Sequence, residues 1–348
     1  MSAERRLYLD AGVGETRGVV TLDGRPERLL IARDTDIPAQ RLGAHVVARV
    51  RAVERAAALA FLDLGHGPDA ILNLTLELGR IVEGAAMEVE IRAEARLGKG
   101  GAARFIAPAE GPPRLTAPGP SIEQQLQAFA RQAEIRAGPI ARSMADGAQD
   151  EALATEFPLP GGGSIAVEPT RALVAVDVDV GARSGAEAKT ATRAANFAAL
   201  NAAARILRLK GLGGLVVIDL VGRGHDAPAL LSGARTAFAP DNPGVAMGMI
   251  SRFGTLEVAI PRRARPTIEI LTGGTGHPTA ETLAATLIRA LEREAAADGG
   301  ARLQAIASPQ VADAAGPALA QLTARLGARL TIRAEAGRAG EAIDVVRL

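Results

Sequence analysis

Between residues 5 and 33 apolar and polar positions alternate with a period of two, interrupted at Gly12–Gly14 and at Asp23-Gly24. This pattern predicts short strands joined by tight turns, the second a strong hairpin signal. Similar strand-like runs recur over residues 45–53, 58–64, 69–74, 87–95 and 102–107, separated by Gly65, Gly67, Gly84 and Gly98–Gly101. Five strands at this rhythm predict a small barrel. Residues 108–120, PAEGPPRLTAPGP, hold five prolines. Each fixes φ and removes a backbone donor, so neither helix nor sheet is predicted to continue there. Helical content follows over 121–146, opened by Ser121 as a cap, with a second short helix up to 156. From Pro160 the order becomes strand 164–168, strand 173–180, helix 186–210, strand 215–221, helix 227–238, and strands 245–250 and 255–260. Such alternation predicts an α/β layer. After Pro266 come a helix over 279–297, a strand over 303–307, a helix opened by Ser308 and Pro309 and closed near Gly327, and strands 329–334 and 342–347. They form a small α/β unit.

The chemistry concentrates in the α/β layer. In the run from Leu173 to Val180, a period of two sends Val174, Val176, Val178 and Val180 to one face, and Asp177 and Asp179 to the other. The next strand, from Leu215, is apolar until it ends in Asp219, and the helix between is long enough for a parallel crossover. The acid-bearing ends then share the sheet edge at which open α/β sheets bind ligands. Carboxylates at close quarters repel, and either protonation or a divalent cation relieves them. An all-oxygen set suits Mg²⁺, with Mn²⁺ as a substitute, and points to phosphoryl chemistry. The plain alternative is that these acids merely begin solvated loops.

Composition narrows the field. The 348 residues are 48% hydrophobic and 23% charged, enough to bury two or three cores. Forty Lys+Arg balance 39 Asp+Glu, which argues against a polycation but leaves room for a local basic channel. There is no Cys, so disulfides, thiolate zinc sites and cysteine nucleophiles are excluded. No apolar run reaches the ~20 residues of a membrane span, and MSAERRLYLD lacks the features of a secretory signal. A cytoplasmic protein is expected. Aromatics make up 2% with no Trp, so any base stacking rests on a few Phe residues.

Residues 159–260, with LPGGGSIAVEPTRALVAVDVDVGARSG, NFAALNAAARILRLKGLGGLVVIDL and MGMISRFGTLEVAIPRR, resemble the catalytic region of the ribonuclease E/G family of bacterial endoribonucleases. The resemblance implies that Asp177 and Asp219 are catalytic, metal-binding aspartates. Asp179, at a position usually filled by Asn, is implied as a further metal ligand. Asn196 and Arg252 are implied on the RNA side, Asn196 orienting a water or the neighbouring strand and Arg252 meeting a phosphate through its planar fork. The implied fold is a DNase I-like subdomain. The implied chemistry is Mg²⁺-assisted attack of water on a phosphodiester, leaving 5′-phosphate and 3′-hydroxyl ends.

Upstream, residues 43–104 resemble the family's OB-fold RNA-binding domain. Phe61 takes the place of one stacking aromatic and Ile71 stands where a second Phe is usual, while Lys99 in GKGG approximates the basic loop. For Phe61 a place in the barrel core is the alternative. The family's sensor for RNA 5′-monophosphate has no counterpart between barrel and catalytic strands, and its zinc-linking cysteines are replaced by the Glu269–Thr272 stretch, so no zinc is expected. Gly222 replaces a common acid.

The expected organisation is α/β and multidomain. Residues 1–36 and 121–158 would form a reduced RNase H-like subdomain, 37–107 the OB-fold β-barrel, 108–120 a linker, 159–266 the DNase I-like catalytic subdomain and 267–348 the small C-terminal domain. The expected function is Mg²⁺-dependent endonucleolytic cleavage of single-stranded RNA in processing or decay. The alternatives are a catalytically inactive RNA-binding protein of the same fold and a metal-dependent phosphatase or DNA nuclease. Single-stranded RNA is the expected partner, and the family's dimerisation suggests a homodimer. Arg208 and Lys210 are read as complementing a helix dipole. Arg262, Arg263 and Arg265 are read as either an RNA path or a solvated edge, and His225-Asp226 is set aside as a general base.

Overall fold

The computed structural model describes residues 4–181, 187–222, 226–239 and 244–348. The N-terminal alternation folds into a meander of β1 (Arg5–Ala11), β2 (Glu15–Leu22) and β3 (Arg25–Arg33). Asp23 and Gly24 both adopt positive φ, 50° and 81°, as a two-residue loop matched to strand twist requires.

The five barrel strands are β4 (His45–Glu54), β5 (Leu59–Asp63), β6 (Ala70–Asn73), β7 (Ala86–Ala93) and β8 (Ala102–Pro108). They are ordered β5-β6-β8-β7-β4, and β4 pairs again with β5, which closes the ring. Only the β6–β8 pair within this ring is parallel. Val46, Val50, Leu62, Val89 and Ile91 fill the interior. The proline-rich segment departs from expectation, because β9 (Arg114–Ala117) forms inside it and pairs with β4. Its four residues contain no proline and stay exposed, and a strand at a sheet's rim needs donors on one side only.

Next come α1 (Ile122–Phe129), β10 (Ile135–Arg136) and α2 (Pro139–Leu153). Ser121 caps α1 through a reciprocal pair of bonds with Gln124. These elements return to the first sheet. β10 lies parallel to β1, Ile122 and Leu126 of α1 pack with Leu7 and Val20, and the alanine face of α2 joins the main core.

The largest layer holds β11 (Glu156–Pro158), β12 (Ser164–Pro169), β13 (Val174–Asp179), α3 (Glu187–Leu209), β14 (Gly214–Asp219), α4 (Ala227–Phe238), β15 (Ala246–Met247) and β16 (Thr255–Ile260). Strand order is β11-β12-β13-β14-β16-β15. β13 and β14 are parallel, joined by the α3 crossover, and the other pairs are antiparallel. α3 is sandwiched between this sheet and β3, with α4 alongside, so one sheet face is covered by helices. The opposite face leaves Asp177, Leu215, Asp219 and Glu257 exposed.

α5 (Thr267–Thr272), a short helix outside the sequence expectation, leads into α6 (Ala280–Ala297), β17 (Leu303–Ala307), α7 (Pro309–Leu326), β18 (Leu330–Ala334) and β19 (Asp344–Arg347). β17 is the central strand of this small sheet. Ser308 stands at the start of α7, but its hydroxyl makes no capping bond. The architecture is mixed α/β, built on several separate sheets. Among the described residues no helix is long and apolar enough to cross a membrane.

Candidate active site

The valines of β13 are buried while Asp177 and Asp179 are exposed, and β14 repeats the pattern with Val216 and Ile218 inside and Asp219 outside. Asp177 and Asp219 are direct register partners across the parallel pair. Neighbouring strands lie about 4.8 Å apart, and partnered residues share a face. The row continues to Ala166 on β12 and Thr255 on β16, so the two carboxylates sit mid-sheet between small neighbours. Neither has an ion-pair or hydrogen-bond partner among the described residues.

Of the three predicted acids, Asp177 and Asp219 are brought together as register partners, and Asp179 is exposed on the same face of β13. Asp179 lies two residues beyond Asp177, level with Ser164, and its Oδ1 accepts a 2.9 Å bond from the Gly181 N–H. Among the described residues no three His, Asp or Glu side chains converge closely enough to hold a metal ion. A pair of hard oxygen donors on an open face still fits a small divalent cation. Such a cation takes one or two carboxylates and completes its shell with water and substrate phosphate oxygens.

Of the two readings of Asn196, the hydrogen bonds favour orientation of the neighbouring strand. It is 1% exposed on α3, and its amide bonds the Val221 backbone twice: Nδ2–H donates to the carbonyl at 3.0 Å, and Oδ1 accepts from the N–H at 3.1 Å. Both polar ends are thus used, so Asn196 positions the chain just past Asp219 and does not meet RNA. The neighbouring Gly222 has φ 92°, and a Cβ there would stand 2.9 Å from Thr192 Cγ2. An acid at this position would be strained, which accounts for its absence.

Arg252 is exposed on the turn before β16, its guanidinium 4.7 Å from the centroid of the Phe253 ring. Ser251, which sequence reasoning quoted without a role, organises this turn. Its Oγ accepts from the N–H groups of Phe253 and Thr255, each at 3.2 Å, and pairs with Thr255 Oγ1 at 2.7 Å. The Leu220 N–H donates to the Gly254 carbonyl at 3.1 Å, tying the turn to the residue after Asp219. The signal available in the sequence was the Ser-x-x-x-Thr spacing before a strand.

Other cations are structural. Arg208 donates to the Ala237 carbonyl and faces Glu27, while Lys210 Nζ bonds the Ala154 carbonyl beside the Phe157 ring. Burial lowers the Lys210 pKa to about 8. Arg262 donates to the Gly213 carbonyl and lies over Gly214, where a Cβ would stand 2.1 Å from its Nη2. The Gly213-Gly214 pair therefore makes room for an arginine. The Arg263 carbonyl accepts from Glu94 N–H, and Arg265 N–H donates to Glu94 Oε2, so this basic run is a joint to the barrel. His225 lies outside the described residues. Asp226 caps α4 and pairs with Arg193.

On the barrel, Ala60 and Leu62 point inward, and Phe61 lies half-buried on the outer face opposite Ile71. The barrel-core alternative for Phe61 is excluded. Lys99 is exposed at the tip of the hairpin after β7, which docks on the α/β body through Leu97 N–H to Glu269 Oε2 at 3.1 Å.

Residues 120–263, which include both aspartates, match the ribonuclease E/G family. This region is similar to that family. Ribonuclease E of Haemophilus influenzae is 33% identical over 175 residues, which cover 47% of this chain and 18% of that protein. Ribonuclease E of Escherichia coli is 31% identical over 174 residues, covering 47% and 16% respectively. A ribonuclease E/G-like chloroplastic protein of Arabidopsis thaliana is 30% identical over 124 residues, covering 34% and 12%. Each aligned segment thus spans less than a fifth of its relative. The ribonuclease E/G match begins after the barrel strands, so Phe61 and Lys99 lie outside it.

Proposed function

We propose that this protein is an Mg²⁺-dependent endoribonuclease that cleaves single-stranded RNA to 5′-phosphate and 3′-hydroxyl ends in RNA processing or decay. The observation that carries the reading is the direct register of Asp177 and Asp219 on an open sheet face, inside the segment matching ribonuclease E/G. In the mechanism, Asp177 on β13 and Asp219 on β14 are the residues that would hold the cation. When bound, Mg²⁺ would supply Lewis-acid activation of a water and offset charge developing on the phosphate. Asn196 keeps the Asp219 strand end in place through Val221, and Arg252 meets a phosphate of the strand.

The ring order of β4 to β8, with its one parallel pair, supports an OB fold whose β5–β6 face carries Phe61 and Ile71. The same reading takes the helix-covered sheet as DNase I-like and the N-terminal sheet with α1 and α2 as RNase H-like. Single-stranded RNA is the partner, and a homodimer without zinc is the assembly we propose.

A second reading, an RNA-binding protein without catalysis, draws on the pair of acids where a trio was expected. Incubation of an unstructured RNA with Mg²⁺ separates the two. Cleavage that needs the cation and disappears in Asp219→Ala is the expected result, and binding without cleavage by the parent protein would reject it.

A further inference from the structure

Of the seven phenylalanines only Phe253 is fully exposed, at 76%, and Met249 nearby in the chain is 73% exposed. Met249 and Phe253 together leave apolar surface in water on the segment leading into β16, which pairs with the strand that carries Asp219. The Phe253 turn is built to hold its ring there. Ser251 Oγ accepts from Phe253 N–H itself, Gly254 N–H donates to the Ser251 carbonyl at 3.0 Å, and Gly254 carries φ 93°. The ring therefore projects from a hydrogen-bonded turn. One of its faces meets the Arg252 guanidinium, 4.7 Å from the ring centroid, a cation–π contact.

Thr255, two residues on, is the register partner of Asp219. Two Cα steps and one strand spacing put the Phe253 backbone within about 13 Å of that of Asp219. This is the reach of a nucleotide flanking one held at the carboxylates. We propose that Phe253 is a stacking platform for one unpaired base of a single-stranded RNA lying across the Asp177–Asp219 pair, with Arg252 on an adjacent phosphate. An unpaired base fits because every base has a π-face, and the Phe–Arg pair offers stacking and charge together. The proposal rests on the reading of the site as an RNA site, and it assigns Phe253 to recognition rather than to bond cleavage.

The experiment uses the full chain and a short unstructured RNA carrying 2-aminopurine at successive positions, titrated in EDTA so that binding is read without cleavage. Quenching of the probe at one position is expected. Phe253→Ala should abolish it and weaken binding about 5-fold to 100-fold. Phe253→Trp should restore both, and Phe253→Leu should not. An abasic residue at the quenched position should erase the difference between parent and Phe253→Ala. Exposure of the ring means that the unfolding midpoint should stay unchanged, which separates recognition from folding.

Failure of the nuclease reading would appear as no Mg²⁺-dependent cleavage by the parent, and it leaves the quenching result independently decisive. Unaltered affinity and quenching in Phe253→Ala would overturn the proposal. So would a shift in oligomeric state with RNA binding intact, which would make this surface a contact between copies of the chain.

Discussion

Charge is handled in opposite ways at two places in the molecule. At the junction of the N-terminal sheet, α2 and α6, Arg17 is 1% exposed and donates to Asp10 at 2.6 Å, to Asp146 at 2.8 Å and to Gln149 at 3.2 Å. Arg142 bridges Asp10 and Glu292, and Glu15 receives both Arg33 and Arg289. Burial opposes the Arg17 charge, and the hydrogen bonds it donates to Asp10 and Asp146 outweigh that, raising its pKa. On the open sheet face Asp177 and Asp219 stand exposed and, among the described residues, without such partners. Fully paired buried charge holds domains in register. Unpaired neighbouring charge contributes no such hold, and it is the arrangement that a cation-binding site requires.

Four substitutions or titrations probe that contrast. Arg17→Met leaves the buried Asp10 with Arg142 as its remaining cation and takes the Arg17 ion pair from Asp146, and should lower unfolding free energy by about 3 kcal/mol in a denaturant titration. A loss below about 1 kcal/mol would remove the distinction. Asp219→Asn should do the reverse. RNA cleavage is expected to fall more than about 100-fold, since disturbing even outer-shell partners of a bound metal costs 10–100-fold. Its unfolding free energy should stay within about 0.5 kcal/mol of the parent.

Asn196→Ala falls between these regimes. Two backbone groups of Val221 lose their partners, so a destabilisation of about 2 kcal/mol is expected, with roughly 10-fold slower cleavage from a misplaced Asp219. If stability drops and the rate per folded molecule does not, Asn196 has no positioning role.

The smallest effect concerns Lys210, whose buried ammonium titrates near pH 8 against an unperturbed 10.5. Between those values the unfolded chain binds more protons, so stability should rise with pH across this window. As pH falls from about 10.5 to about 8 that gain is lost, and below about 8 none of it remains. Lys210→Met should flatten the profile in thermal melts taken from pH 7 to pH 11.

The carboxylate pair was legible because period-two burial of valines and the parallel crossover are local rules, and together they fix which side chains become neighbours. Element boundaries in the barrel followed from glycine placement for the same reason. What escaped was decided by distant partners. Asn196 meets Val221 across 25 residues, the proline-rich segment gains β9 only because β4 offers a free side, and Arg262 needs Gly213-Gly214. β15 shrank to Ala246–Met247 from a predicted six residues, since beyond Gly248, whose N–H still bonds the Glu257 carbonyl, the chain leaves the ladder for the Ser251 loop. In each case, a polar side chain or loop was read without the backbone it would serve.

The spacing of Asp177 and Asp219 comes from main-chain ladder bonds, not from contacts between the two side chains. Exchanging either carboxylate for an amide thus changes charge while the scaffold keeps its dimensions. Here sign and separation behave as independent variables, and a rate lost on such an exchange measures electrostatics with the geometry held constant.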